Sequence, residues 1–283
     1  MKYATTLLAA LVAQQSTAFK LDGFEIEWSG SQNGVPLPES EFNLTKLEFV
    51  PGSSTPVAGA KLAARANKVE NSGNYCGTVG RAQASNRIKF ITGTFNHPGC
   101  SPNMNFSRIR FPQAVAPWVG IDGDTYTSSL VQAGTNCVVN DPSGSNTHMV
   151  WVQWVPGSSY TLPNFPVSPG NVMKVDITVN TPRNATLVIQ NQSTGRQERI
   201  TWTADERGAG TIGGIDADWI AETPQYFGQL LDMPKFDEVT FRNARATRLD
   251  NSNLGVLGAI QKVIPGQCSS VETGDSSLRA WSP

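Results

Sequence analysis

The chain of 283 residues carries 22 basic and 23 acidic side chains, which gives a formal net charge of −1. Charged residues make up 16% of the sequence, below the usual share of about a quarter. No basic stripe is present, so nucleic acid is a poor candidate partner. The length suits one domain with a substantial core plus an additional segment.

Residues 1–18 have the pattern of a secretory signal peptide. Lys2 precedes an apolar run over residues 4–13, and Ser16-Thr17-Ala18 supplies a cleavage pattern of small residues. The run is too short to span a membrane, and no other stretch approaches about 20 continuous apolar residues. We therefore expect a secreted, extracellular protein without a membrane anchor.

Residues 19–70 differ from the rest of the chain. They include "GSQNGVPLPES" and "PGSSTPVAGA", show few alternating runs and contain no cysteine. Their proline, glycine and alanine content predicts a poorly packed leader, either a propeptide or a flexible N-terminal tail. Lys61, Arg65 and Lys68 would offer processing sites near its end. The mature domain would then span residues 71–283 and begin near Lys68 to Ser72.

From residue 71 onward, an alternation of apolar and polar residues dominates. In "NVMKVDITVN", Met173, Val175, Ile177 and Val179 fall on one face, as in a half-buried antiparallel strand. "NATLVIQNQSTGRQERITW" predicts two more strands joined by a turn. "HMVWVQWVP" has large apolar groups on both faces, which indicates a strand buried between two layers. Further strand candidates are "RIKFITGTF", "SRIRFP", "DADWIAE", "DEVTFRNA" and "GAIQKVIP".

Helical periodicity is nearly absent, with "TPQYFGQLLDM" as the one short candidate. Many short strands separated by glycine and proline turns predict an all-β protein, either a two-sheet antiparallel sandwich or a barrel.

The four cysteines predict two disulfides, because a secreted chain with an even number of cysteines tends to pair them. Of the three possible connectivities we expect Cys76–Cys100, which would tie the ends of neighbouring strands, and Cys137–Cys268, which would anchor the C-terminal tail. In a secreted protein, four Asn-x-Ser/Thr sequons are candidate glycosylation sites, and each is expected in a surface turn. Their acceptors are Asn43, Asn105, Asn184 and Asn191.

Several catalytic chemistries find no support in the sequence. His97 and His148 are the only histidines, and neither lies near a Gly-x-Ser-x-Gly motif, so a serine triad is not indicated. The wide cysteine spacing does not suit zinc. No Asp-Thr-Gly or Asp-Ser-Gly motif points to a paired-aspartate site, and no Glu-x-Asp-x-Glu strand points to a glycosidase. We expect neither a metal nor a cofactor.

Polar groups inside apolar strands are the remaining candidates for chemistry. They are Gln132 in "LVQAG", Gln153 in "WVQWV" and Glu222 in "ADWIAE". A glutamate on a largely buried face suits proton transfer. The plainer alternatives are a solvated strand face for Gln132 and a rim carboxylate at a strand end for Glu222.

Three segments of the chain, two of which contain these polar residues, resemble the signatures of a known family. "WVGIDGD", the following "LVQAG" and the later "ADWIAE" look like the signature segments of the glutamic peptidases (eqolisins), which are secreted acid proteases of filamentous fungi. "SGNYCGTV", "VWVQWVP", "SPGNVMKVDITVN" and "ATLVIQNQSTGRQ" match other strands of the family, in the same order, from about Asn71 to about Phe241.

The resemblance implies a fold and a site. The fold would be a sandwich of two large antiparallel sheets related to the lectin jelly roll. Gln132 and Glu222 match the catalytic pair of the family, and Trp118 matches a tryptophan that lines the substrate cleft. Tyr75, Asp122 and Gln153 would also line the site. The expected activity is acid endopeptidase action on protein or peptide substrates by a monomer.

Three positions depart from the family pattern. Gln153 stands where the family has a glutamate, Tyr75 where it has a tryptophan, and Asp218 where it has another glutamate. These changes bear on substrate preference and on the pH optimum. A rival hypothesis from another class is a lectin-like jelly roll that binds carbohydrate or peptide without chemistry.

Overall fold

A computed structural model describes residues 16–47, the backbone of 49–50, and residues 68–205 and 210–283. Within these ranges the regular secondary structure is β-strand, apart from one 3-10 turn at Glu39–Glu41. The strands of the N-terminal part are β1 (Ser16–Leu21), β2 (Phe24–Gln32), β3 (Val35–Pro36), β4 (Thr45–Lys46), β5 (Phe49–Val50) and β6 (Lys68–Asn71).

The remaining strands follow from residue 75 to the C-terminus. They are β7 (Tyr75–Arg81), β8 (Ile88–Asn96), β9 (Cys100–Ser101), β10 (Gln113–Ile121), β11 (Leu130–Val139), β12 (Asn146–Val155), β13 (Ser159–Thr161), β14 (Val172–Thr181), β15 (Asn184–Asn191), β16 (Arg196–Ala204), β17 (Asp216–Glu222), β18 (Gln225–Tyr226), β19 (Gln229–Leu230), β20 (Lys235–Phe236), β21 (Val239–Arg248), β22 (Asn253–Gly255), β23 (Ile260–Val263), β24 (Ser269–Gly274) and β25 (Ser277–Trp281).

Two large sheets form the sandwich. One has eleven strands, in the order β1-β2-β16-β15-β14-β8-β21-β25-β24, with β3 paired to β2 and β22 paired to β21. The other has nine strands, in the order β4-β13-β12-β11-β10-β17-β7-β23-β6. All pairings are antiparallel except that of β23 with β6. The predicted all-β antiparallel sandwich is therefore confirmed.

The core lies between the facing sides of the two sheets. The eleven-stranded sheet contributes Met173, Val175 and Ile177, and the nine-stranded sheet contributes Val119 and Trp219, among others. Alternation explains this placement, because every second residue of a strand points to the same side of its sheet. On β14 the intervening Lys174 and Asp176 point away from the core and stay half-exposed.

Part of the predicted leader belongs to this core, so the expectation of a poorly packed segment is wrong for Phe24–Gln32. Strand β2 pairs with β16 along its whole length. Phe24, Ile26 and Trp28 are at most 3% exposed. Alternation was present in "FEIEW" but was hidden by the irregular sequence around it. The signal peptide lies mostly outside the described residues, and the processing site and domain boundary stay predictions.

Two of the local predictions fail. "SRIRFP" forms no strand, and "TPQYFGQLLDM" forms the hairpin of β18 and β19 instead of a helix. The turn Phe227-Gly228 of that hairpin has positive φ at both residues, 47° and 74°, which is the backbone of a tight two-residue hairpin turn. Over these residues the turn therefore prevails over helical propensity.

The disulfides join Cys76 to Cys268 and Cys100 to Cys137. The prediction of two bridges is confirmed, but the expected partners are wrong. Cys76 lies on β7, beside the C-terminal strands, whereas Cys100 on β9 faces β11, which carries Cys137. The pairing thus follows the strand order of the sheets, which local sequence does not reveal.

The four sequons differ in accessibility. Asn43 and Asn105 are exposed. Asn184 is half-buried at the hairpin between β14 and β15. Asn191 is fully buried, and its Nδ2 donates hydrogen bonds to Pro166 O and to Asn171 Oδ1. The expectation of a surface turn is therefore wrong for Asn191, because the atom that would carry a glycan is enclosed by the fold.

None of the described helices could span a membrane.

Candidate active site

A second apolar cluster covers the side of the nine-stranded sheet that points away from the core, and we call this side the distal face. The cluster consists of Tyr75, Val79, Ala116, Trp118, Leu130, Trp151 and Ile220. By alternation along the same strands, the side chains of Gln132, Gln153, Asp218 and Glu222 also point to the distal face. The fold thus brings the sequence-predicted dyad and most of its predicted neighbours to one surface.

Small residues create the space that this surface needs around Trp118. The strand register places Gly134 directly opposite Trp118. A Cβ atom at Gly134 would lie 2.6 Å from Trp118 Cβ and 2.3 Å from Pro117 O. Gly120 lies two residues farther along β10, opposite Gln132. The glycines therefore allow a bulky indole to lie in the middle of the distal face.

The Trp118 indole lies between the two members of the predicted dyad. Its Nε1 donates a hydrogen bond of 2.8 Å to Glu222 Oε2. A Cβ atom at Gly120 would meet Trp118 Cζ3 at 2.8 Å and Gln132 Cβ at 3.1 Å, so the benzene ring of the indole is beside Gln132. Glu222 is therefore bonded to the Nε1 end of the indole, and Gln132 Cβ lies in the neighbourhood of the opposite edge.

The Glu222 carboxylate is held at both oxygens. Asn74 Nδ2 donates to Glu222 Oε1 at 3.1 Å, and Trp118 Nε1 donates to Oε2. Asn74 is in turn fixed by Ser72, whose Oγ donates to Asn74 Oδ1 at 3.3 Å and accepts the backbone N–H of Tyr75 at 3.0 Å. Glu222 is 1% exposed. Asn74 lies in the quoted "SGNYCGTV", but sequence reasoning did not single it out as a partner of Glu222.

A chain of two amides orients Gln132. Its Nε2 donates to Gln153 Oε1 at 2.8 Å, and Gln153 Nε2 donates to the carbonyl oxygen of Gly157 at 3.2 Å. Because the Gly157 carbonyl can only accept, it fixes the orientation of the Gln153 amide, and this fixes the Gln132 amide. Gln153 therefore acts on the site through Gln132, and neither amide titrates.

Tyr75 packs edge-on against Trp118, with ring centroids 5.4 Å apart and an interplanar angle of 78°. It is directly opposite Glu222 in the pairing of β7 with β17. Burial raises the pKa of Tyr75 well above its ordinary value, and the negative charge of Glu222 adds to this effect. The Tyr75 phenol is therefore uncharged and lines one side of the site.

Asp122 has a different place from the other predicted residues. Its carboxylate accepts backbone N–H bonds from Gly213, Gly214 and Ile215, at 2.7, 3.0 and 2.7 Å. Burial raises its pKa to about 6, while these backbone bonds act in the opposite direction. Asp122 itself has φ = 72°. It therefore ties the turn after β10 to the segment before β17, and its carboxylate is used within the fold instead of facing a ligand.

Asp218 is an additional carboxylate of the distal face. It is fully buried, and neither of its oxygens has a hydrogen-bond partner among the described residues. Burial raises its pKa well above the ordinary value, and the neighbouring Asp216 and Asp124 add to the effect. By contrast, Asp124 is paired with Arg81 and Lys262, at 2.8 and 2.7 Å.

The N-terminal segment and the β18–β19 hairpin form a roof over the distal face. Leu47 packs against the apolar cluster, and its N–H donates to Ser159 O at 2.9 Å. Two residues later, β5 pairs with β18, which follows Glu222 closely in sequence. Two residues span at most about 7 Å, so the hairpin must reach across toward Ser159. This roof is consistent with the burial of Gln132, Trp118 and Glu222.

Comparison with known proteins gives consistent matches. The profile of the Peptidase A4 family matches residues 73–277. Aspergillopepsin-2 of Aspergillus niger is 26% identical over 258 residues, which cover 87% of this chain and 83% of that protein. Scytalidopepsin B of Scytalidium lignicola is 26% identical over 132 residues, which cover 47% of this chain and 45% of the relative.

Solved structures share the fold. Scytalido-glutamic peptidase with a peptide-based transition-state analogue superposes with a TM-score of 0.62 at 19% identity, covering 75% of this chain and 98% of that one. Aspergilloglutamic peptidase from Aspergillus niger gives 0.52 at 22% identity, covering 60% and 99%. The sequence resemblance is thereby confirmed: the chain belongs to the Peptidase A4 family, the eqolisins, and is a glutamic peptidase.

Proposed function

We propose that this peptidase is a secreted acid endopeptidase in which Glu222 and Gln132 act as a catalytic dyad on a water molecule. The observation that carries the proposal is that Glu222 and Gln132 are both buried on the distal face, with Glu222 bonded to Trp118 Nε1 and Gln132 near the opposite edge of the indole. A peptide bond lying across the indole would have a proton acceptor on one side and an amide donor on the other.

The chemistry divides between these two groups. The Glu222 carboxylate takes a proton from the water, whose oxygen attacks the scissile carbonyl carbon and forms a tetrahedral intermediate. The Gln132 Nε2 donates one hydrogen to Gln153 and uses its second hydrogen for the developing oxyanion. Glu222 then passes its proton to the leaving amine as the C–N bond breaks. One such oxyanion donor contributes about 2.7–4 kcal/mol.

Unpartnered polar atoms around the dyad support a binding role for the distal face. Native proteins leave few buried polar atoms without a partner. Here Tyr75 Oη, Trp151 Nε1, Asn136, Ser159 Oγ and both Asp218 oxygens lack one among the described residues. Such atoms are where the backbone and side chains of a peptide substrate would find hydrogen bonds.

The segment that covers the distal face bears on how the enzyme would mature. Leu47 packs against the apolar cluster of the distal face, and β5, which begins two residues later, pairs with β18; this cover would have to leave before a substrate reaches the dyad. We propose that the chain is a zymogen, that its N-terminal segment is cut near Lys68 to Ser72, and that the roof is then displaced. Secretion is supported by the signal-like start of the chain and by the two disulfides.

The test uses matched substitutions in the processed enzyme. Glu222→Gln keeps the shape but removes the proton acceptor, and it should abolish hydrolysis of casein at about pH 3. Gln132→Ala should lower kcat by about a hundredfold or more. Glu238→Gln, the same chemical change at an exposed site just before β21 of the other sheet, should leave activity unchanged. Asp122→Asn should be milder for proton transfer.

Wild-type turnover by folded Glu222→Gln would refute the dyad. The rival function, binding by a lectin-like jelly roll, predicts glycan or peptide binding by the processed wild type without cleavage. A pepstatin control excludes a contaminating aspartic protease, because the proposed mechanism has no paired aspartates.

A further inference from the structure

We infer that the strand β2 is a permanent part of the folded peptidase, so that cutting the chain between the N-terminal segment and residue 71 does not release residues 24–32. This goes beyond the proposed zymogen, because a propeptide is ordinarily removed. In the eleven-stranded sheet, β2 covers the edge of β16 that the rest of the chain leaves unpaired.

The backbone contact is long. Strand β2 pairs with β16 in nine consecutive positions, from Arg196 opposite Gln32 to Ala204 opposite Phe24. Its other edge pairs with β1, and the pairs of Phe19, Lys20 and Leu21 remain after the expected signal-peptide cleavage at Ala18. Without β2, the strand β16 would become an edge with unpaired N–H and C=O groups, which native sheets avoid or protect.

The side-chain contact is part of the core. The Phe24 ring lies 5.4 Å from the Trp154 ring and 5.2 Å from the Trp202 ring. Ile26 and Trp28 are 1% exposed, whereas Glu25 and Glu27 between them face solvent. Loss of the strand would expose two tryptophans of the domain that is proposed to remain, and an exposed apolar patch of that kind is unfavourable in water.

A buried polar contact adds specificity. Trp28 Nε1 donates to Glu198 Oε2 at 2.9 Å, and Glu198 is 1% exposed. The second Glu198 oxygen accepts from Arg196 Nε and Nη2, at 2.9 and 2.7 Å. Arg196 also pairs with Glu41 of the N-terminal segment at 3.5 Å. Removal of β2 would leave Glu198 without one of its donors.

The roof, by contrast, makes short strand pairings within the described residues. Strands β4 and β5 pair over two positions each, and Leu47 is only partly buried. One segment therefore combines a long anchor in the sandwich with a short cover over the dyad. The cover can leave the active site while the anchor stays, which makes the mature enzyme a non-covalent two-chain protein.

The experiment makes the cut independent of the enzyme's own activity. A site for a sequence-specific protease is inserted after Gly59, the full chain is cut, and the folded protein is isolated by size-exclusion chromatography at neutral pH. Its masses are then read in denaturing solvent. We expect the N-terminal fragment with β2 in equimolar amount. Folded, monodisperse protein that lacks this fragment would overturn the inference.

Two variants test the contacts themselves. Phe24→Ala removes a core ring and should either prevent folding or weaken retention of the fragment by at least about a hundredfold. Glu27→Ala, on the exposed side of the same strand, should leave retention unchanged. Equal retention in Phe24→Ala and wild type would contradict the anchoring role. Casein hydrolysis by the same fractions reports separately on the proposed function, because retention does not depend on turnover.

Discussion

The pair formed by His97 and His148 predicts that acid destabilises this fold. His97 is fully buried; its Nδ1 is 2.8 Å from Thr135 Oγ1 and its Nε2 is 2.8 Å from His148 Nδ1. Burial lowers the pKa of His97 to about 3, and the neighbouring His148 contributes to this effect. Its pKa in an unfolded chain is about 6.5. Between these two pKa values the unfolded state therefore binds a proton that the folded state does not bind.

The difference between the two pKa values sets the direction and the size of the change in the free energy of unfolding with pH. Between pH 6.5 and pH 3 the unfolded chain holds more protons, so the free energy of unfolding falls as the pH falls, and it is unaffected by His97 above pH 6.5. The full difference corresponds to about 4.8 kcal/mol, at about 1.36 kcal/mol per pKa unit. Because typical domains are stable by about 5–15 kcal/mol, this is a large effect for an enzyme expected to work in acid.

His97→Gln removes the titrating ring and keeps a side chain that can form hydrogen bonds. At pH 7 the variant should be less stable by about 1 kcal/mol, through lost ring packing and hydrogen bonds. At pH 3.5 it should be more stable than wild type. Guanidinium unfolding followed by tryptophan fluorescence at pH 7, 5 and 3.5 measures both. Equal loss of stability in the two proteins between pH 7 and pH 3.5 would refute the reasoning.

Three further substitutions test the distal face. Gln153→Glu places a titratable group beside Gln132 at a position that is 1% exposed, so kcat should gain a pH dependence above the ordinary glutamate pKa of about 4.3, because burial raises the pKa of a carboxyl group; an unchanged profile would show that this side chain does not act through Gln132. Asp218→Asn removes a buried carboxylate with a raised pKa, so it should raise the melting temperature at pH 7 but not below pH 3.8, and equal effects at both pH values would contradict this. Gly134→Ala, whose Cβ would lie 2.3 Å from Pro117 O, should lower stability by about 1–3 kcal/mol and reduce turnover by displacing Trp118, an effect that thermal unfolding and casein assays would reveal.

Much of the fold could be read from alternation, because each strand carries its own evidence. Met173, Val175 and Ile177 on β14 are buried as the pattern predicts. The disulfide partners could not be read in this way, since they depend on which strands become neighbours. The packed part of the N-terminal segment escaped notice for a different reason: its alternating run is short and lies among proline and glycine turns.

In the candidate site, too, the residues with a local sequence pattern were predictable, and those that depend on distant contacts were not. Gln132 and Glu222 are recognisable because the signature segments around them are contiguous. Asn74 acts on Glu222 through a hydrogen bond across 148 residues of sequence. The Gly157 carbonyl accepts from the nearby Gln153, but its effect on Gln132 depends on the pairing of two strands, and no local pattern predicts such contacts. Asp122 could be placed beside the site but not assigned, because its backbone partners lie more than ninety residues away.

The bridge between Cys76 and Cys268 encloses nearly the whole peptidase domain, with a sequence separation of 192. Any single backbone cut between these two cysteines leaves both pieces covalently joined, so a nicked enzyme would migrate as one band on a non-reducing gel and as two after reduction. A cut before residue 76 behaves differently, because no cysteine precedes Cys76. Denaturing gels with and without reductant would therefore distinguish internal nicking from loss of the N-terminal segment in a single preparation.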